Sequence, residues 1–270
     1  MIQIVGSDIG GTLTDRQGGI SQFTKRVLDA LPVPVCLVTG YNRHVAFQYR
    51  DVFSRKELYL IAQNGAFAYR GDELLFSSLV DPDLVADMVS FLTEGGAVAR
   101  VFCVDNRVYC VRPNGYHDQV LRWDSPIYRF HDGPLGDLPP VIQVCAFEPL
   151  VRIGALIPSA TKRFGAGCII GSRLYGTHQW LELSHPVARK ETSFPKLLDM
   201  LGIDPANAMF CGDNFNDADL LKRVGHPVVV GDAPAEIRSM VHTVTRPGFE
   251  DGIAHHLNDV FALGLKYGTV

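Results

Sequence analysis

The sequence predicts an α/β protein in which a parallel-sheet core domain is interrupted by an inserted α+β module, and three observations carry that expectation. Short apolar runs recur, each closing on a polar residue with a glycine within two positions of it. An amphipathic helical stretch follows the first of these runs. Between about residues 81 and 185 the rhythm changes to paired strands with two interposed helices, which is the pattern of a separate α+β unit rather than of further βαβ repeats.

Ile2 to Ser7 is a largely apolar run of the kind that is covered on both faces in a parallel sheet, and it stops at Asp8. After a Gly-rich turn, Phe23, Val27, Leu28 and Leu31 fall at helical spacing, with Ser21 placed to cap the start. Val35 to Val38 ends in Thr39-Gly40, Leu58 to Ala62 runs up to Asn64-Gly65, and Ala208 to Cys211 ends in Gly212-Asp213. Val228 to Val230, ending in Gly231-Asp232, fits the same scheme. Ligand crevices in open parallel sheets lie outside the carboxyl ends of the strands, so these endings are expected to converge on one site. Within the insert, residues 81 to 96 read as a helix, 97 to 104 and 107 to 113 as a hairpin around Asp105-Asn106, and 141 to 147 as a strand. Residues 148 to 164 read as a second helix, and 167 to 174 and 179 to 185 as two more strands. The Gly- and Pro-rich stretch from 128 to 140 reads as a loop.

Composition narrows the function classes. The 270 residues are 47% hydrophobic and 20% charged with a net charge of -4, the balance of a soluble globular chain with a full core. No apolar run approaches the roughly 20 residues that span a bilayer, and the first residues lack the basic start and long apolar stretch of a secretory signal, so a cytoplasmic setting without a membrane partner is expected. Basic residues are scattered and outnumbered by acids, which leaves no extended positive face for a nucleic acid. The six cysteines lie in or beside strand-like apolar runs and read as buried free thiols. Neither they nor the adjacent His255 and His256 have zinc-ligand spacing.

Two segments carry chemistry. In Ser7 to Asp15, SDIGGTLTD, Asp8 sits where the sheet opens. Gly10 and Gly11 let backbone amides approach an anion, and Thr12 adds a hydroxyl. A carboxylate so placed can attack phosphorus to form an aspartyl-phosphate, although the same residues also suit a plain capped turn. In Phe210 to Gly225, Asp213 follows a strand and Asp217 opens a helix with Leu220, Leu221 and Val224 on its apolar face. These hard oxygen ligands suit Mg²⁺, with Asp8 and Asp213 direct and Asp217 behind them; Asp217 equally suits the helix dipole.

Taken together, these motifs resemble those of the haloacid dehalogenase superfamily, closest to the Cof-type phosphatases, over nearly the whole chain. The resemblance implies a Rossmann-like core formed by residues 1–80 and 186–270, a C2-type α+β cap over 81–185, Mg²⁺ as cofactor, and a small phosphorylated metabolite such as a phosphosugar as substrate. It places Asp8 as nucleophile, the Gly10 carbonyl with Asp8, Asp213 and Asp217 at the metal, and Thr39 of LVTG on the phosphoryl group. Within RKETSFPKLLDMLGI it selects Lys190 rather than Lys196 as the charge-neutralising lysine. Gly11, Gly40, Arg43, Asn64 and Asn216 are the implied substrate contacts.

Two departures stand out. The related phosphatases carry a general acid/base aspartate two residues after the nucleophile, where this chain has Gly10. A positioned acid or base contributes roughly a hundred- to ten-thousandfold in rate, so the expectation is a slow phosphatase, or one whose proton donor comes from the cap (His117, Asp118, His178 or Glu182) or from the substrate. Tyr41 stands where such relatives often have arginine. The competing readings are a catalytically silent phosphate-binding protein and a hydrolase of another bond. Of these, dehalogenation needs no metal and leaves Asp213 and Asp217 unexplained, while phosphonate cleavage would look to a cap lysine, for which Lys162 is the sole lysine between Lys56 and Lys190.

Overall fold

The computed structural model describes residues 1–55, 57–111, 127–165 and 168–268. The chain divides into two units, Met1–Phe76 with Arg189–Val270, and Ser77–Ala188. The crossings thus fall before residue 80 and after residue 185, because Val80 donates its N–H to the Val141 carbonyl at 2.8 Å and Ala188 to that of His185 at 2.9 Å, each within the inserted unit.

In the first unit the apolar runs become β1 (Ile4–Ser7), β2 (Val35–Val38) and β3 (Leu58–Ala62), every residue of which is buried. Helix α1 (Gln22–Ala30) joins β1 to β2, and the Ser21 hydroxyl caps it by accepting from the Thr24 amide at 3.0 Å. Helix α2 (Arg43–Arg50) leads to β3 behind an Asn42 cap. An antiparallel strand β4 (Phe67–Arg70) and then β5 (Glu73–Ser77) extend the sheet beyond β3. After the insert come α5 (Lys190–Leu201), β12 (Ala208–Gly212), α6 (Ala218–Leu221), β13 (His226–Val229), α7 (Ala235–Arg238), β14 (Thr243–Val244) and α8 (Gly252–Val260). Among the described residues the sheet order is β14-β13-β12-β1-β2-β3-β4-β5, with parallel pairing from β14 through β3. The chain runs outward from β1 in one direction and from β12 in the other, so the topological switch point lies between those two strands.

The second unit holds α3 (Pro82–Glu94), the antiparallel pair β6 (Ala99–Cys103) and β7 (Val108–Val111), then β8 (Tyr128–Phe130), β9 (Val141–Pro149), α4 (Leu150–Phe164), β10 (Ile169–Tyr175) and β11 (His178–Ser184). Its sheet order is β10-β11-β9-β6-β7-β8 among the described residues. Strand residues alternate between faces: Ala99, Val101, Val144, Ala146, Leu181 and Leu183 pack with Val85, Met88, Leu92 and Ile153 of the two helices. Phe102, Val108, Ile127 and Cys145 form a smaller cluster with Tyr128 and Trp180. The α/β core with an inserted α+β unit agrees with the sequence reading, with one correction. The 128–140 stretch begins with β8, whose edge pairing to β7 is parallel; Gly and Pro are confined to the residues after it. All six cysteines are buried free thiols, and no described helix is long and apolar enough to cross a membrane.

Candidate active site

Strand pairing brings the first two carboxylates together. The register sets Ser7 beside Cys211, and the Asp8 amide continues the ladder by donating to the Cys211 carbonyl at 2.8 Å. Asp8 therefore leaves β1 where Gly212 and Asp213 leave β12. The turn after Asp8 closes through Leu13 N–H to the Ile9 carbonyl at 2.9 Å. Gly11 adopts φ +82, and a Cβ there would stand 2.6 Å from Asp213 Oδ2, so backbone shape and space both demand glycine. Thr12 completes the junction by donating its hydroxyl to Asp213 Oδ1 at 2.9 Å.

The lysine arrives by packing. Gly6 and Asp8 lie on one face of β1, and Lys190 and Phe194 on one face of α5. The Phe194 ring presses so closely on Gly6 that a Cβ there would stand 2.7 Å from Phe194 Cζ. One helical turn earlier, the buried Lys190 Nζ donates to Asp8 Oδ1 at 2.6 Å and to Asp217 Oδ1 at 2.8 Å. Ser193 ties the same helix to the Gly65 carbonyl at 2.7 Å. The other oxygen of Asp217 accepts from the amides of Asp213 at 3.1 Å and Asn214 at 3.3 Å. Asn214 and Asp217 thus form a capping box, and the Asn-x-x-Asp spacing in GDNFND is a sequence signal for it that the motif reading passed over.

Carboxylate oxygens of Asp8, Asp213 and Asp217 lie within 4.8 Å of one another. Three carboxylates around one ammonium leave an excess of two negative charges in a buried space. Burial, opposed by Lys190 and aided by Asp217, raises the Asp8 pKa to about 6. Burial together with the charges of Asp8 and Asp217 raises that of Asp213 to about 7. Burial works against the Lys190 ammonium, but Asp217 and Asp8 outweigh it and hold the lysine charged well above its usual range. The donor set fits a hard divalent cation. Asp8 and Asp213 each give one oxygen to a protein donor and keep the other, while both oxygens of Asp217 are engaged, which suits a residue that positions the others.

The remaining sequence candidates fall as follows. Thr39 is buried at the end of β2, its hydroxyl accepting from the Tyr41 amide at 3.1 Å and its carbonyl from the Asn64 amide at 3.0 Å; the half-buried Gly40 lies between them. Asn64 is left-handed (φ 55, ψ 19), and its Oδ1 is buried with no hydrogen-bond partner among the described residues. Arg43 opens α2 with its guanidinium over the rings of Phe47 at 5.0 Å and Tyr69 at 5.1 Å. Asn216 is exposed next to the exposed Phe215. Lys196 lies over the Phe76 ring, 4.3 Å from its centroid, and Lys162 is exposed on the last turn of α4. In the inserted unit, His178 stacks on Phe147 at 5.2 Å and Glu182 is half-buried on β11. His117 and Asp118 lie outside the described residues.

Comparison with known proteins points the same way as this geometry. The profile of the haloacid dehalogenase-like hydrolase family matches residues 5–257. A putative phosphatase of Haemophilus influenzae is 25% identical over 97% of this chain and 99% of its own. A phosphoglycolate phosphatase of Methanothrix thermoacetophila is 24% identical over 98% of this chain and all of its own length, 100%. A haloacid dehalogenase-like hydrolase from Bacteroides thetaiotaomicron superposes with a TM-score of 0.82 at 17% identity, covering 96% of this chain and 100% of that one.

Proposed function

The chain belongs to the haloacid dehalogenase-like hydrolases, and from that premise we propose that it is a Mg²⁺-dependent phosphatase of a small phosphorylated metabolite, such as a phosphosugar, working through an aspartyl-phosphate on Asp8. The observation that carries this reading is the buried Lys190 ammonium held between Asp8 and Asp217 with Asp213 alongside. Lys190 keeps Asp8 ionised for attack on phosphorus and offsets charge on the transferring group. The Thr39 hydroxyl binds a phosphoryl oxygen, whereas the Gly11 amide, named from the sequence for the same task, is taken up by Thr14 Oγ1 at 3.0 Å. Asp8 and Asp213 would hold Mg²⁺, which when bound neutralises phosphate charge and orients the phosphoryl group for in-line attack. Asp217 holds Lys190 and the Asp213 loop in place. The phosphatases among the relatives support this class of substrate.

The direct test is phosphate release from a panel of phosphorylated sugars and short acids with and without Mg²⁺. Release that requires the metal is expected. A protein that binds phosphate yet releases none from any substrate and traps no acyl-phosphate would be a silent binding protein instead.

The metal part has its own test. Because Asp8 and Asp213 titrate near 6 and 7 when folded, against 3.8 for the ordinary group, the folded state holds protons that the unfolded chain releases. Their contribution to stability is present near pH 4 and is lost as pH rises through the folded values. Metal-free Asp213→Asn is therefore expected to match wild type near pH 4 and to exceed it at pH 8 by about 1–3 kcal/mol, since three tenfold steps of about 1.4 kcal/mol each amount to about 4 kcal/mol and solvent at the half-buried Asp213 screens part of it. Mg²⁺ should raise the melting temperature of wild type at pH 8 and leave the variant's unchanged. A less stable variant at pH 8, or an undiminished Mg²⁺ response, would count against Asp213 as a ligand.

A further inference from the structure

Two glycines sit side by side in the turn that follows Asp8, and each leaves room for a polar side chain. The carboxylate of Asp213 fills the space over Gly11. Over Gly10 lies the hydroxyl of Tyr41, 2.8 Å from where a Cβ would stand. Nothing else in the turn needs a bare backbone at Gly10, whose φ is not in the left-handed region. The phenol is held there from several sides. Tyr41 follows Thr39-Gly40 at the end of β2, with its amide donating to Thr39 Oγ1 at 3.1 Å and its carbonyl accepting from the Gln63 amide at 2.8 Å. Its ring stacks on Tyr49 with centroids 5.4 Å apart and planes 10° off parallel. Tyr49 is anchored in turn by donating to the Gly18 carbonyl at 2.8 Å. Close by, Thr12 donates to Asp213 and Lys190 to Asp8 and Asp217.

We propose that the Tyr41 hydroxyl is the proton donor to the leaving group. The inference rests on the phosphatase reading above and adds a residue to it. In the first step an Asp8 carboxylate oxygen bonds to phosphorus and the bond from phosphorus to the ester oxygen breaks with its electron pair. The Tyr41 proton passes to that oxygen, giving the free alcohol, an acyl-phosphate and a phenolate. In the second step the phenolate takes a proton from water as the water oxygen bonds to phosphorus. The bond from phosphorus to Asp8 then breaks, restoring the carboxylate and the phenol and releasing phosphate.

Tyr41→Phe removes one oxygen and keeps the ring that stacks on Tyr49. Pre-steady-state cleavage with substrate in excess separates a lost proton from a disturbed site, because an alkyl phosphate needs the leaving oxygen protonated and p-nitrophenyl phosphate does not. The variant should cleave a sugar phosphate about 10² to 10⁴ times more slowly than wild type. With p-nitrophenyl phosphate it should show a burst of p-nitrophenolate whose rate stays within about tenfold of wild type, followed by slow turnover. Equal losses on both esters, or no loss on the alkyl ester, overturn the assignment. Wild type inactive on both esters would instead overturn the phosphatase reading, and this assignment with it.

Discussion

Asp8→Asn is expected to reduce phosphate release by about 10⁴- to 10⁶-fold, the scale seen when a covalent nucleophile is removed from an enzyme that keeps its binding groups. The amide has the carboxylate's shape and can still accept from Lys190, so the site should keep its geometry. It cannot form the acyl-phosphate, so acid quenching of the variant during turnover should trap no phosphorylated protein, while wild type yields it at a fraction of the enzyme. Stability should not fall with activity. Burial already disfavours the Asp8 charge, which is why its pKa stands near 6, and a neutral residue removes that cost at pH 8 in the absence of metal. A variant that retains more than about a hundredth of the wild-type rate would remove Asp8 from the nucleophile's role.

Lys190→Met should have the largest effect on the fold. Methionine keeps an unbranched apolar stem against the neighbouring residues but takes away the cation that Asp8 and Asp217 share. Those carboxylates stay buried, Asp217 with no exposed surface at 0% and Asp8 at 6%. Removing one partner from a buried ionic cluster costs about 3–5 kcal/mol. Denaturation at pH 8 should show a deficit of that size, and it should narrow toward pH 5 as the Asp8 carboxyl, already raised to about 6 by burial and now without its cation, takes up a proton. Activity should fall as well, by about 10² to 10³ if the ammonium also stabilises charge at the transferring phosphoryl group. Lys196→Met is the control. That side chain is exposed over Phe76 six residues further along the chain, so the change should cost less than about 0.5 kcal/mol. Equal stability of the two variants at pH 8 would mean that Lys190 does not balance the cluster.

Much of the core is legible in the sequence because its strands are buried on both faces. β2, β3 and β12 appear as unbroken apolar runs and β1 as a largely apolar one, and the polar residue after each run marks where the sheet opens. What stays hidden depends on the partner surface. Helix α2 escapes because RHVAFQYR buries only Ala46 fully, so it shows no apolar stripe. β4 and β5 escape because they extend an edge behind a turn that holds Gln63 and Asn64 at positive φ. At the site, Asp8 and Asp213 can be read as strand-end groups. The pairing of Lys190 with Asp8 comes only from the family resemblance and not from the residue pattern itself, since it depends on Phe194 lying over Gly6, a fit between residues 188 positions apart. Tyr41 over Gly10 is of the same kind, because a glycine in a sequence does not say what fills the space it leaves.

The position of β1 has a consequence for synthesis on the ribosome. One edge of that strand pairs with β2, which follows within about 30 residues, but the other pairs with β12, Ile4 lying beside Ala208. Until β12, some 200 residues further on, has emerged, the nascent chain presents a strand that is fully buried in the finished fold, with an open row of amides and carbonyls, the kind of surface that invites pairing with another chain. Fragments that stop short of residue 208 should therefore aggregate or recruit chaperones, and the nucleophile's surroundings can form only once residues 190 to 217 have been made.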